Sequence, residues 1–263
     1  MASQGGARLK IIITGAAGFI GQALTSALLS DGTVSEIILT DVVEPTVPDL
    51  AGSRSNVQTK CVKADLTLRE TCKALFTPDI NLVYLLHGLM SGASEANLEL
   101  GIKVNIDSMR QIFDILREVN PGVKIVFPSS TAVYGPPSGP DEVVTERTAP
   151  LPGSSYGAQK HITETLLNDY SRRSLLDGRI VRLPTVRPPY PVKGTMNRRK
   201  LTAPLGIGET RKANWGRIII RLWNLPRATE RREERIACVE GSQAVDMFAS
   251  NGRSEPDSRS RYS

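Results

Sequence analysis

From residue 9 onward, short runs of β-branched and aliphatic residues alternate with longer stretches whose apolar positions recur every three or four residues. The run LKIIIT at 9–14 predicts a strand, and FIGQALTSALLSDG at 19–32 has helical spacing closed by a glycine. A second strand, EIILTD, covers 36–41, a third lies within VQTKCVKADL, and RETCKALF at 69–76 predicts a helix. NLVYLLHG at 81–88 is a fourth strand, followed by a long helix from about 97 to 119. GVKIVFPSS at 122–130, a helix over 154–173 and the strand GRIVRLP at 178–184 complete the series. Strands that are apolar almost throughout leave no face for water. Alternating with helices, they imply a parallel sheet covered on both sides, an α/β doubly wound architecture. The connection 42–56 holds two prolines and little periodicity, and predicts a loop where such folds often place a helix.

Past residue 186 the periodicity stops, and the charge changes with it. Residues 187–263 carry 16 Lys+Arg and 8 Asp+Glu, whereas residues 1–186 carry 17 and 19, so the net charge of +6 arises entirely beyond that point. IIIRLWNL at 218–225 reads as one strand and ATERREERIACVEGSQAVDMF at 228–248 as one charged helix. The polar end, ASNGRSEPDSRSRYS, reads as disordered. The chain therefore divides into a domain over 1–186 and a basic, atypical segment over 187–263. A basic tail suits nucleic acid or an anionic surface. This one has no recognisable module and little aromatic interleaving, which argues against nucleic acid.

The most apolar stretch, 11–29, is interrupted by Gly15, Gly18, Gly21 and Gln22, so no membrane span is predicted. The first ten residues have no apolar core of the kind a secretory signal needs. Cys61, Cys72 and Cys238 show neither pairing arithmetic nor metal-ligand spacing, and two lone histidines make no metal site. Reduced thiols in a cytoplasmic protein without a metal are the expectation.

Four constellations bear on chemistry. TGAAGFIG, from Thr14 to Gly21, lies directly after the first strand and opens a helix. Gly15 and Gly18 let the backbone approach a pyrophosphate, Gly21 lets helix and strand pack closely, and the helix start offers free N–H groups. That context points to a Rossmann-like dinucleotide site. Asp41, twenty positions past Gly21 at the end of the second strand, suits the hydroxyls of an adenosine ribose and repels a 2′-phosphate, which favours NAD over NADP. Asp65, ending the third strand in ADL, is a candidate for the adenine amino group. Tyr156 and Lys160 stand four apart on one helix and share a face. A phenol titrates near pH 10 when unperturbed; an adjacent ammonium favours the phenolate and makes it a usable base. Finally, PSSTAVYG at 128–135 ends the fifth strand, where open α/β sheets bind ligands. Ser130 is placed to hydrogen-bond a reacting oxygen beside Tyr156. Ser129, one pleat away, faces the other side and reads as structural.

Together these residues resemble the extended short-chain dehydrogenases/reductases, the NAD-dependent epimerase/dehydratase family. The resemblance covers 9 to about 186 and rests on TGAAGFIG, Asp41, ADL, Asn105 in KVNIDS, SSTAVYG, SSYGAQK and RLPTV. It implies Tyr156 as acid/base, Lys160 on the nicotinamide ribose, Ser130 on the substrate oxygen, and Asn105 helping to organise the lysine. It also implies cofactor contacts at Gly15, Gly18, Phe19, Ile20, Gly21, Asp41, Asp65, Leu66, His87, Gly88 and Pro184. A narrower match, LMSGASEANLELGIKVNIDS with SSYGAQKHITETLLNDYSRRSLLDGRIVRLPTV, is similar to the D-erythronate dehydrogenase subfamily. That implies a small sugar acid as substrate, Ser91 and Gly92 in a loop near nicotinamide and substrate, and NAD as cofactor. LLHG departs from the family's usual HLAA, so His87 is either a cofactor neighbour or a hydrogen-bonded strand-end residue. Members often dimerise by packing the long helix and the Tyr–Lys helix into a four-helix bundle, which implies a possible homodimer.

The functional classes separate by residue. A sugar-nucleotide 4,6-dehydratase needs an Asp-Glu pair where Thr131 and Ala132 stand, so that chemistry is disfavoured. An epimerase would keep Ser130, Tyr156 and Lys160 but needs a C-terminal lobe for the nucleotide diphosphate. An oxidoreductase acting on a secondary alcohol of a small sugar acid is the preferred reading. RPPYPVKG stands where the substrate lobe should begin, as a replacement lobe or a frame or splice change near Val186 would produce. In that case an NAD-binding remnant or interaction protein without efficient catalysis is the alternative.

Overall fold

The computed structural model describes residues 8–49, 55–136, 139, 143–145 and 147–184, together with the backbone of 236–238. Strand β1 (Leu9–Thr14) leads through a glycine turn into helix α1 (Phe19–Leu29), then strands β2 (Val34–Asp41) and β3 (Gln58–Lys63). Helix α2 (Arg69–Leu75) precedes β4 (Leu82–Leu85). Next come α3 (Ser91–Ala96), α4 (Leu98–Ile102), a π-helical turn (Lys103–Asp107) and α5 (Ser108–Val119). Strand β5 (Lys124–Ser130) runs into a 3-10 turn (Thr131–Tyr134), followed by α6 (Ser155–Arg172) and β6 (Asp177–Leu183).

The strands pair in the order β3-β2-β1-β4-β5-β6, all parallel, with a further short strand, β7 (Ile236–Cys238), on the outer edge of β6. The order reverses between β1 and β4, which opens a crevice at their carboxyl ends. Alternate side chains of each strand feed opposite layers. Ile12, Val83, Leu85, Ile125 and Phe127 pack with Phe76, Ile112, Phe113, Leu116 and Leu167 on one side. Ile11, Ile13, Ile37, Leu39, Tyr84, Val126 and Val181 pack with Leu24 and Leu28 on the other. This two-sided burial is why the strand sequences are continuously apolar rather than alternating.

Two expectations change in detail. The long helix over 97–119 starts at Leu98 and contains the π-helical turn, a single widened turn that puts Asn105 inside the protein. The stretch 228–248, read as one charged helix, contains strand β7 at Ile236–Cys238, paired with Ile180–Arg182. Local charge spacing favours a helix there, but the open edge of β6 offers backbone hydrogen bonds that an apolar triplet accepts as a strand. Residues 42–49 form a loop without regular structure, as the prolines imply. The strand read at 218–225, the end after 248 read as disordered, and Thr185 and Val186 of RLPTV all lie outside the described residues.

Candidate active site at the carboxyl ends of the strands

The turn between β1 and α1 is shaped by three glycines with distinct roles. Gly15 has φ of +64°, and a Cβ there would stand 2.6 Å from the backbone nitrogen of His87. The turn between β1 and α1 thus rests directly on the end of β4. A Cβ on Gly21 would lie 2.4 Å from the Gly15 carbonyl, so the helix closes on the turn only without one. A Cβ on Gly18 would meet only the Gly15 carbonyl, at 3.2 Å, and the space above the turn is otherwise open. Within the turn, Ala16, Ala17 and Gly18 donate their N–H groups to Thr40, Asp41 and Gly15. Helix α1 has no side-chain cap, and the first-turn N–H groups of Phe19, Ile20 and Gly21 have no partner among the described residues. Open donors at a helix start beside a strand crossover fit a pyrophosphate.

Asp41 stands at the carboxyl end of β2, beside the glycine turn. One carboxylate oxygen accepts from Ala17 N–H at 3.0 Å and the other from Val42 N–H at 2.7 Å. These bonds fix the carboxylate at the end of β2, and each oxygen keeps a lone pair for a ribose hydroxyl. Asp65 uses one oxygen to accept from both the N–H and the hydroxyl of Thr67. The Thr67 N–H is the main cause that holds its carboxyl below the usual range. Leu66 beside it is buried and its carbonyl accepts from Cys72 and Gln111, so this residue is anchored to the helical layer.

His87 and Gly88 follow β4. The His87 Nδ1 lies 2.7 Å from Thr14 Oγ1 and its Nε2 lies 3.0 Å from Ser108 Oγ. Ser108 already donates its hydroxyl to the Val104 carbonyl, so it accepts from Nε2–H, and Nδ1 accepts from Thr14. Both ring nitrogens are thereby engaged inside the protein. Burial, reinforced by the charge of Lys160, lowers the imidazole pKa to about 3, and the ring is neutral. Gly88 lets the chain pass close to Asn105, whose Oδ1 would stand 3.1 Å from a Cβ.

Lys160 is 7% exposed; its Nζ donates to the Pro128 carbonyl at 2.8 Å and sits 4.5 Å above the Phe127 ring. The same Nζ is 5.7 Å from the ring centroid of Tyr156, as helical spacing requires for a pair four apart. Burial lowers its pKa to about 8, with Glu164 opposing the shift. Burial also raises the Tyr156 phenol above its ordinary value. Ser130 lies at the end of β5, where its hydroxyl accepts from Ala132 N–H at 3.1 Å. A Cβ on Gly157 would be 2.3 Å from the Ala132 carbonyl, so this glycine allows the start of α6 to press on the turn after Ser130. Pro184 follows β6 on the same edge of the sheet, and Ser91 starts α3 on an exposed surface.

Asn105 reaches one residue short of the lysine it was expected to organise. Its side chain brackets Leu89, accepting from the N–H at 2.7 Å and donating to the carbonyl at 3.0 Å. It also donates to Ser94 Oγ and to Gln159 Oε1. Asn105 therefore ties the 86–90 segment to α6. Ser129 is buried between strands, in register with Arg182, and its hydroxyl has no partner among the described residues.

Several contributors carry no local motif. Thr14 and Ser108 hold His87; Gln159 receives Asn105; Glu164, Arg182 and Tyr134 form a buried cluster behind Lys160. The one usable sequence signal was a charged residue inside an apolar strand, Arg182 in RIVRL, with Glu164 four past Lys160. Among the described residues no group of three or more His, Cys, Asp or Glu side chains could hold a metal.

A protein-family model, the NAD dependent epimerase/dehydratase family, matches residues 11–211. The chain is 39% identical to D-erythronate dehydrogenase of Cupriavidus necator over 194 residues, covering 70% of this chain and 57% of that protein. It is 36% identical to the D-erythronate dehydrogenase of Haemophilus influenzae over 189 residues, covering 70% and 58%. The crystal structure of the nucleoside-diphosphate-sugar epimerase from Agrobacterium tumefaciens superposes with a TM-score of 0.65 at 34% identity, over 72% of this chain and 57% of that one. The chain thus spans less than two thirds of the length of these relatives.

Proposed function

The chain belongs to the NAD-dependent epimerase/dehydratase family, and from that premise we propose that it is an NAD-dependent oxidoreductase of a small sugar acid resembling D-erythronate. The observation that carries this reading is the convergence of three groups on one sheet edge. These are the open N–H groups of Phe19, Ile20 and Gly21, the Asp41 carboxylate, and the Tyr156–Lys160 pair with Ser130. The glycine turn would hold the pyrophosphate of NAD and Asp41 the adenosine ribose, with Asp65 and Leu66 beside the adenine. Gly88 and Pro184 would border the nicotinamide. NAD, when bound, supplies the hydride acceptor.

The protein's own residues handle the proton. Ser130 would orient the substrate hydroxyl and Tyr156 would accept its proton as the carbon–hydrogen bond breaks. Burial alone disfavours the Tyr156 phenolate. A protonated Lys160, one turn away, offsets that cost by favouring the charged phenol oxygen. Ser91, at the start of α3, would face the substrate. His87, with both nitrogens engaged, would support the nicotinamide side of the crevice without donating to it.

A test measures NADH formation with four-carbon sugar acids, alongside NAD binding, for the full chain and for Tyr156→Phe. The expected result is turnover that falls by roughly two to four orders of magnitude in the variant, with NAD affinity within a few-fold. Full activity of the variant would remove Tyr156 from the acid/base role. A second reading, an NAD-binding chain without efficient catalysis, draws on the span of only 57–58% of the dehydrogenases it resembles. NAD binding without NADH across the sugar-acid panel would favour it. Interconversion of sugar nucleotides without net NADH would instead favour an epimerase.

We also propose a homodimer built on α4 and α6. A groove of about 500 Å³ runs between them, lined by Leu98, Ile102, Ile106, Ala158 and Ile162, and Leu98, Ile102 and Ile162 are exposed there. Sedimentation showing a dimer that Ile162→Arg converts to monomer is expected; a wild-type monomer would refute it. No helix among the described residues is long and apolar enough to cross a membrane, and Cys61 and Cys72 are free thiols. A cytoplasmic location goes with this reading.

A further inference from the structure

Behind the Tyr156–Lys160 pair lies a charge cluster that does not reach the crevice. Glu164 and Arg182 are 1% and 2% exposed, so neither side chain meets water. The Arg182 guanidinium grips both carboxylate oxygens of Glu164, Nε to Oε1 at 3.0 Å and Nη2 to Oε2 at 2.7 Å. Its remaining edge donates from Nη1 to the Tyr134 hydroxyl at 2.7 Å, and its plane lies 4.7 Å from the Tyr134 ring centroid. A buried ion pair of this kind rarely adds net stability over an apolar packing of the same volume, so its presence calls for another role.

The three members stand at fixed offsets from the three parts of the active site. Tyr134 ends the turn that begins just after Ser130; Glu164 is one helical turn past Lys160 and two past Tyr156; Arg182 is two residues before Pro184. One planar fork therefore joins α6, the 3-10 turn and β6, the elements that carry the reacting groups. Among the described residues, the groups facing Lys160 come from three elements. From α6 they are Tyr156 and Glu164, from the end of β4 the neutral His87, and from β5 the Phe127 ring and Pro128 carbonyl. Arg182 and Tyr134 stand behind Glu164, and His161 Nδ1 lies 3.6 Å from its Oε2. Among the described residues Glu164 is thus the carboxylate that acts on Lys160, which burial would otherwise drive towards its neutral form.

We propose that Arg182 and Glu164 are positioning residues. Through Tyr134 they lock the helix carrying Tyr156 and Lys160 against the turn carrying Ser130, and they hold a carboxylate one turn from Lys160 that keeps it cationic. The catalytic consequence rests on the oxidoreductase reading above, whereas the effect on Lys160 does not.

The test is a pH titration of Lys160 by NMR of lysine labelled at 13Cε, in the full chain without NAD. Wild type is compared with Glu164→Gln. Where that change leaves Arg182 unpaired and the chain unfolded, the comparison uses Glu164→Gln with Arg182→Met, which buries no charge. In the folded variant the Lys160 midpoint is expected to fall by at least about one pH unit. An unchanged midpoint would overturn the inference, because a purely structural ion pair would not move it. For turnover, the same variant is expected to lose at least about tenfold in kcat while NAD affinity stays within about threefold. Wild-type kcat in a folded variant would also overturn it. A wild-type chain that reduces no NAD would defeat the oxidoreductase reading instead, and the Lys160 titration would still decide the positioning role.

Discussion

Acidification from about pH 8 to about pH 4.5 singles out the imidazole of His87. The ring sits between Thr14 and Ser108 with both nitrogens hydrogen-bonded, and protonating it would turn the Nδ1 acceptor into a second donor facing a hydroxyl. Its folded pKa, about 3, lies below the value near 6.5 of an exposed histidine. Between those two values the unfolded chain binds a proton that the folded chain refuses, so stability is full above about pH 6.5 and declines as pH falls. Each unit below 6.5 removes ~1.4 kcal/mol, and at pH 4.5 the loss reaches ~2.7 kcal/mol. With a urea dependence of ~2 kcal/mol per M, the unfolding midpoint drops by on the order of 1 M. Carboxylates also titrate in this range, so wild type is compared with His87→Gln, which keeps a donor and an acceptor but does not ionise. The wild-type midpoint should fall further than that of the variant by the amount given. Parallel pH profiles would refute the assignment of a neutral, enclosed imidazole.

Other changes test the remaining geometry. Gly15→Ala places a methyl against the His87 and Leu86 backbone at a φ of +64°, and is expected to abolish NAD binding and lower stability by more than ~1 kcal/mol, read by calorimetry and thermal melting. Asp41→Asn removes the charge that would repel a 2′-phosphate, so the NAD-to-NADP affinity ratio should fall by about tenfold or more; an unchanged ratio would remove Asp41 from cofactor choice. Arg182→Met alone leaves Glu164 buried and unpaired and should cost ~3–5 kcal/mol in denaturant unfolding, while the paired change with Glu164→Gln should cost clearly less. Phe113→Ala, emptying a fully buried site beside Tyr170, should cost ~3–5 kcal/mol without changing NAD affinity per folded molecule.

Local and periodic features were legible in the chain of residues alone. Continuous β-branched runs at 9–14, 36–41 and 122–130 could only be strands buried on both faces, which fixed a parallel sheet between helices. The glycine turn and the Tyr156–Lys160 spacing were legible because each lies within a few residues of one element, and Asp41 because it ends the strand that follows the glycine-led helix. Tertiary structure alone decided which distant groups meet. The partners of His87 are Thr14 and Ser108, more than 20 positions away on either side, which take both ring nitrogens. Asn105 reached Leu89 and Gln159 rather than Lys160 because a π-helical turn rotated it inward, and local spacing does not encode that rotation. The charge spacing of 228–248 spoke for a helix, yet Ile236–Cys238 lies as a strand on β6, since an unpaired sheet edge outweighs local propensity. Arg182, Glu164 and Tyr134 come from three elements spread over nearly 50 residues. Only the folded sheet, by excluding water around them, makes one guanidinium the partner of both.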